Sequence, residues 1–357
     1  MSDSESMREI FASTIERLLA DTSTPAVVLA SESGAWPAAL WSAVEDSGFT
    51  LAAAPESVGG AGANWDDLFV VLVACGRHNA PVPLPEAMLA NWLLGRAGLD
   101  TISGPLSFAA SSTLRIADAR VSGRLADVPW GRHVAHVVAL ADVDTAPTVV
   151  LLAAAAGAQS ALRQNIAGEP RDDLDFDNAA VLASAKLPAG LPRDVLVHGG
   201  ALLRAAQSAG ALQATLDLCT RYATERVQFG KPIGSFQAIG HQIAVLAEHV
   251  ALASVSAEAA CVESSAEQLA LLPIASAKVC SAEAAGIAAG IAHAVHGAIG
   301  FTHEHQLHLT TRRLWAWRSE YGSLTDWSQR IGRAVCAGGA AEFWPMVTRV
   351  AAQGELS

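Results

Sequence analysis

Lysine is nearly missing from this 357-residue chain: Lys186, Lys231 and Lys278 are all it has, and alanine and arginine do much of what lysine would. With a net charge of −12 and no basic stripe, the chain lacks the electrostatic footprint of a nucleic-acid or anionic-membrane binder. Cysteine is sparse and unpatterned. Cys75, Cys219, Cys261, Cys280 and Cys336 are odd in number and have neither CxxC nor histidine spacing. That argues against a metal site or disulfide frame and predicts reduced, mostly buried thiols. No apolar run reads as long and charge-free enough to span a bilayer. The opening MSDSESMREIFASTIERLLA carries acids where a leader would carry a basic region, so a cytoplasmic location is expected.

What the chain does have is apolar bulk. Hydrophobic residues make up 51% of it, enough for two or three packed units around a large core. Apolar positions such as Ile10, Ile15, Leu18 and Leu19 recur at helical spacing near the start. From Gly104 the texture changes to short runs, 106–109, 114–117, 134–139, 148–152 and 181–185, separated by turn residues. The stretch Val128-Pro129-Trp130-Gly131 reads as a β-turn with a packed tryptophan. From Asp194 onward long Ala-rich helical patterns return, and Ala284, Ala285, Ala288 and Ala289 allow helices to approach closely. The expected fold is α+β and mostly α: a helical unit over 1–103, a small antiparallel β unit over 104–190, and an antiparallel four-helix bundle over 191–357.

One segment is chemically specific. In Arg221 to Gln237, RYATERVQFGKPIGSFQ, a helix should run into Arg226, break at Phe229-Gly230-Lys231-Pro232-Ile233, and restart with Ser235 as its cap. The break leaves Arg226, Phe229 and Gln237 near one helix corner. A guanidinium, a ring and a carboxamide together suit a planar, phosphate-bearing cofactor.

The pattern R-x-x-F-G-K-P-I-x-x-F-Q closely resembles the signature of the acyl-CoA dehydrogenase family. His296-Gly297-Ala298-Ile299-Gly300-Phe301-Thr302, followed by Glu304, His305, Leu307 and Arg312-Arg313, resembles that family's glycine turn and the helix after it. Gly48-Phe49, Ala54-Pro55-Glu56 and Gly59-Gly60-Ala61-Gly62 resemble its N-terminal entry. The resemblance implies the acyl-CoA dehydrogenase fold, an acyl-CoA substrate, FAD between the β unit and the bundle, and electron-transfer flavoprotein or a similar acceptor. It implies FAD contacts from Arg226, Phe229, Gln237, His296, Gly297 and Gly300, partly offered to a neighbouring subunit. His296 stands where many relatives have Gln and is expected to donate a hydrogen bond in its place.

The catalytic end departs from the family. Relatives carry their carboxylate base in an E-G-T turn; here the stretch is Ser319-Glu320-Tyr321-Gly322-Ser323, with Tyr321 in the base position and Glu320 one residue early. An offset of one turns a helical side chain by about 100°, so Glu320 is a weak catalytic candidate. A minority of relatives place the base on the first bundle helix, where this chain has Gly200, flanked by His198 and Ala201. His198 reads as a helix-start histidine facing solvent. Glu304 reads as a structural acid in the helix after the glycine turn, and Trp315, Trp317 and Trp327 as core or interface anchors. The flavin-receiving T-E-P-x-A-G-S-D loop of relatives has no counterpart between Gly104 and Pro192. The pattern resembles the partner subunit of heterotetrameric bacterial acyl-CoA dehydrogenases of steroid side-chain breakdown. Two alternatives stay open: a self-sufficient homotetramer with Glu320 as displaced base, and a redox-silent scaffold of the same fold.

Overall fold

The computed structural model describes residues 3–143 and 146–348. Five helices come first: α1 (Asp3–Thr22), α2 (Pro25–Glu32), α3 (Ala38–Asp46), α4 (Trp65–Arg77) and α5 (Leu84–Arg96). In α4, Asp66 and Asp67 occupy the first turn and Arg77 the last, matching the helix dipole at both ends.

Nine strands follow: β1 (Leu106–Ala109), β2 (Ser111–Ser112), β3 (Arg115–Ala117), β4 (Arg120–Pro129), β5 (His136–Val143), β6 (Ala146–Ala153), β7 (Ala158–Ala161), β8 (Arg171–Ala180) and β9 (Ala183–Lys186). They form one sheet in the order β7-β8-β4-β3-β5-β6-β9, with β1 on β5 and β2 on β4. The sheet is mixed and not purely antiparallel as expected, because β1 and β3 both pair parallel with β5. The predicted turn at Val128–Gly131 is present: Trp130 is buried with φ +58°, and the Gly131 amide donates to Val128 O at 3.2 Å.

The bundle consists of α6 (Val195–Glu225), α7 (Gln237–Val262) and α8 (Leu271–His296), then α9 (Leu307–Trp317), α10 (Leu324–Gly338) and α11 (Ala340–Thr348). A small hairpin, β10 (Val227–Gln228) with β11 (Lys231–Pro232), separates α6 from α7. Ala284, Ala285, Ala288 and Ala289 are all buried, so the small residues do serve close helix contact. By length and composition α7 and α8 could each cross a membrane, against the expectation that no run could. Their apolarity has a different use here. Alanines such as Ala253, Ala257, Ala260, Ala277 and Ala284 are buried between helices, and α7 also carries Glu248 and Glu258.

The N-terminal helices are bound to the bundle by backbone contact between α4 and α6. A Cβ on Gly76 would lie 1.8 Å from Gln207 O, and one on Gly210 would lie 1.9 Å from Val73 O. Only glycine permits this approach. The main core continues across it, from Trp65 and Trp92 through β1 to Leu202 and Ala277.

All five cysteines are free thiols; Cys75, Cys219 and Cys261 are buried, Cys280 is half-buried and Cys336 exposed.

Candidate functional site

The segment singled out from sequence forms an exposed corner. Helix α6 ends at Glu225, and Arg226 leaves it in an extended conformation. The break is a two-residue hairpin, a feature the sequence reading missed. Phe229 and Gly230 both have positive φ, +52° and +81°, the backbone that a tight primed hairpin turn demands. For a bulky aromatic this conformation is unfavourable, yet the ring is 91% exposed. The Ile233 amide closes the loop on Arg226 O at 2.8 Å. Ser235 does not cap the following helix: its hydroxyl donates to Pro232 O at 2.7 Å, and α7 starts after Phe236 without a side-chain cap. Arg226 and Gln237 are exposed, and among the described residues neither side chain has a hydrogen-bond or ion-pair partner.

The glycine turn meets this corner through one ring. Tyr222, one helical turn before Arg226, stacks on His296 at 4.6 Å. His305 joins the same ring cluster, 4.7 Å from His296 and 6.3 Å from Tyr222. Gly297 turns the chain with φ +62° and ψ −142°. A Cβ on Gly300 would press on His296 Cβ at 2.9 Å. His296 Nδ1 lies 2.8 Å from Ala292 O, so Nδ1 carries the proton and Nε2 is left as an acceptor. Nε2 is buried without a partner. Burial, with His305 and His293 nearby, lowers the imidazole pKa. The expected donor role is therefore corrected: the neutral ring's free nitrogen accepts. Glu304 lies before α9, not in it, and is exposed.

The second region is closed. Helix α9 ends under Lys278, whose buried amine donates to Trp317 O at 2.7 Å and Arg318 O at 2.9 Å. The chain then turns through Tyr321 and Gly322, both at positive φ. Glu320 accepts from Arg171 Nε at 3.0 Å and Nη2 at 3.0 Å, from Arg204 Nε at 2.7 Å and from Asn165 Nδ2 at 2.9 Å. Arg204 in turn binds Glu86 at 2.7 Å, and Arg171 binds Glu169 at 2.9 Å. Trp317 Nε1 also donates to Glu169 at 3.0 Å, and Arg313 Nη1 to Glu32 at 2.9 Å. Burial opposes the charge on Glu320, but Arg171 and Arg204 hold its carboxyl far below the usual range. A general base works near its operating pH; Glu320 has the surroundings of a structural counter-ion.

Gly200 and Tyr321, the two positions at which the resemblance implies a base, converge in space, and neither is an acid. A Cβ on Gly200 would lie 2.5 Å from the Tyr321 ring. That ring stacks on Phe108 at 5.5 Å, with the Arg204 guanidinium 5.6 Å away. Burial pushes the Tyr321 hydroxyl's pKa far up. His198 does not face solvent: it is buried edge-on against Trp327 at 5.2 Å. Beyond this centre lies a cleft of about 1080 Å³ between the strands and the bundle, reached by Asp127, Arg163 and Ile166 on one side and Trp315, Tyr321 and Arg333 on the other. Trp317 and Trp327 are core anchors as expected, whereas Trp315 is 47% exposed. The sequence reading missed Arg171, Arg204 and Glu86. A lone charge in an apolar helical run, as in ALLRAAQSAG and LPEAMLANWLLG, was the available signal.

Comparison with known proteins is consistent along the chain. The family model "Acyl-CoA dehydrogenase, N-terminal domain" matches residues 5–101, and "Acyl-CoA dehydrogenase, C-terminal domain" matches 196–323. Acyl-CoA dehydrogenase FadE27 of Mycobacterium tuberculosis is 30% identical over 331 residues, 82% of this chain and 87% of that protein. The solved ChsE4-ChsE5 complex from Mycobacterium tuberculosis has a chain that superposes with a TM-score of 0.83 at 23% identity, over 94% of this chain and 98% of that one. The Tcur3481-Tcur3483 steroid ACAD, as its G363A variant, gives 0.83 at 23% identity, over 94% and 99%. At these identities the two structures establish the fold.

Proposed function

The chain belongs to the acyl-CoA dehydrogenase family, and we propose that it is a subunit of an FAD-dependent acyl-CoA dehydrogenase that completes the flavin site of a homologous partner and has no base of its own. The observation that carries this reading is the contact of Gly200 with the Tyr321 ring. Both places for a carboxylate base are filled without one, and Glu320 is neutralised by two arginines.

The residues at the exposed corner fit FAD. Arg226 is a free guanidinium for a diphosphate, Phe229 is a bare ring, Gln237 is an unengaged carboxamide, and His296 Nε2 is a buried acceptor without a partner. FAD bound there would accept hydride from the β-carbon of an acyl-CoA while a carboxylate of the partner took the α-proton. This chain's part is to bind and orient. Arg226 neutralises phosphate charge, the Phe229-Gly230 turn fixes where that charge is met, and Gly297 and Gly300 keep side chains away from the cofactor's path. The residues of the chain's own cleft do not fit a flavin, since the family's flavin loop is absent and Tyr321 stands where the base would face the ring.

Two of the structural neighbours are two-chain assemblies by name, and one is called a steroid ACAD. They support a heterotetramer with a homologous acyl-CoA dehydrogenase chain, and the second supports a bulky polycyclic acyl-CoA as substrate; a flavoprotein-type electron acceptor is what the family resemblance implies. We assign the complex to the cytoplasm, with α7 and α8 as bundle helices.

The test is co-expression with a homologous chain that has Glu at the position of Gly200 or Tyr321, followed by acyl-CoA-dependent dye reduction. Turnover is expected from the pair and from neither chain alone. Turnover by this chain alone would contradict the proposal and restore the homotetramer. A flavin-free pair would leave the redox-silent scaffold.

A further inference from the structure

The turn Gly297–Phe301 is held by rings at both ends, and three of those rings are imidazoles. At its far end the exposed Phe301 stacks on His293 at 4.5 Å. At its start His296 lies against Tyr222 at 4.6 Å and His305 at 4.7 Å. Gly300 packs directly on both bundle histidines: a Cβ there would lie 2.9 Å from His296 Cβ and 3.4 Å from His293 Nδ1. Tyr222 belongs to α6, one turn before Arg226. A single ring therefore joins the helix that leads to the guanidinium to the turn that carries Gly297 and Gly300. Among the described residues the Tyr222 hydroxyl has no hydrogen-bond partner, so the ring makes this contact.

Each imidazole is set for its neutral form. His296 gives its Nδ1 proton to Ala292 O and keeps Nε2 buried without a partner. His305 Nδ1 accepts the Leu307 amide at 3.2 Å. His293 Nε2 lies 3.0 Å from Thr311 Oγ1, and its Nδ1 is buried without a partner. Burial lowers the pKa of all three. The carbonyls of Ala292 and Gly300 oppose that shift on His296 and His293, while His305 and His293 add to it on His296, and Arg221 of α6 adds to it on His305. Among the described residues the only histidines within ion-pair range of an acid are His78 and His198. A proton added to this cluster therefore meets no counter-charge, and a buried charge without one is costly.

We propose that Tyr222 and His296 are positioning residues for the flavin corner and that the clasp they form is acid-labile: a neutral His296 holds the glycine turn against the end of α6, and a protonated His296 releases the turn together with the cofactor. The cofactor in that statement rests on the function proposed above; the clasp rests on the ring cluster alone. The folded ring's pKa lies below its ordinary 6.5. Its contribution is therefore fully present above 6.5, declines as pH falls from there towards the folded value, and is flat below that.

Two measurements separate the clasp from the cofactor. The first uses the isolated chain without flavin. Melting temperatures of the parent and of His296→Gln, whose amide carries no charge at any pH, are compared between about pH 8 and about pH 5, the range in which an imidazole titrates. The parent should lose ground on the variant as pH falls below about 6.5; a constant difference overturns the proposal. The second follows flavin release, by fluorescence, from the complex with a base-bearing homologue. The parent's flavin dissociation constant should rise by up to about tenfold per pH unit in acid, as for one linked proton, and His296→Gln should flatten that slope. At about pH 8, where the imidazoles are neutral, Tyr222→Ala should weaken flavin binding roughly tenfold, the size of a lost aromatic contact, and Tyr222→Phe should keep the parent value. Flavin that binds more tightly in acid, an equal slope in His296→Gln, or a Tyr222→Ala complex with the parent's affinity overturns the proposal. A complex without flavin at any pH overturns the functional reading instead, and the melting difference still decides the clasp.

Discussion

Two arginines, Arg226 and Arg204, sit beyond the end and near the start of the same helix and have opposite surroundings. Arg226 is exposed and unengaged, next to a ring held out at 91% exposure. Arg204 is 2% exposed and bound by Glu86, Glu320 and Gln207. A buried charge must be satisfied within its own chain; an exposed one next to a strained, solvent-facing phenylalanine is available to another molecule. The difference separates what this chain uses to hold itself together from what it offers outward.

That comparison is broken most severely by Arg204→Met. The substitution leaves Glu86 and Glu320 buried with a lost partner, and we expect a destabilisation of about 3–5 kcal/mol, read as the urea midpoint. A midpoint within error of the parent would mean that the closed centre is not structural.

Lys278 sharpens the closed side through pH. Burial lowers its pKa to about 7, with Glu320 opposing and Arg204 and Arg318 reinforcing the shift. The folded value lies below the unfolded one, near 10.4. The amine's contribution is therefore fully present above the unfolded pKa, declines as pH falls towards 7, and is flat below that. Buried Cys75, Cys219 and Cys261 are shifted up and act with the opposite sign as pH rises. The difference between the parent and Lys278→Met isolates the lysine: the parent's melting temperature should gain on the variant's between pH 7 and 10. A constant difference would rule out the shift.

Gly200→Ala is expected to be milder. Its Cβ would meet the Tyr321 ring at 2.5 Å, and overpacking of this kind costs about 1–3 kcal/mol. In a double-mutant cycle Gly200→Ala should cost less in a Tyr321→Ala background than in the parent; equal costs would mean that the two residues are not in contact.

The smallest effect on stability belongs to Arg226→Ala, within about 0.5 kcal/mol of the parent by thermal denaturation. Its consequence should appear only in flavin content. A large loss of stability would place Arg226 with Arg204.

The open side was legible in sequence because it is local. Gly230 and Pro232 mark the helix break, and Arg226, Phe229 and Gln237 lie within twelve residues of one another. The hairpin itself escaped notice because its strands are only two residues long. The closed side was not legible because its partners are remote: Arg204 reaches Glu86 across 118 positions and Glu320 across 116. The same reason hid β8. Its sequence RDDLDFDNAA carries four aspartates, and Asp172, Asp173 and Asp175 pair with Arg132, Arg163 and Arg124 from elsewhere. β1, LSFA, is four buried residues in a row, and its bounds match the run expected over 106–109. Helix order was readable from periodicity, but the burial of His198 depends on Trp327, which is supplied by another helix.

The most direct measurement is the visible flavin absorbance of the chain purified alone, co-purified with a base-bearing homologue, and co-purified as Arg226→Ala. The account predicts a colourless chain, a yellow complex, and a complex that keeps its subunits but loses most of its flavin when Arg226 is replaced. A yellow chain on its own, or a complex whose flavin is indifferent to Arg226, would contradict it.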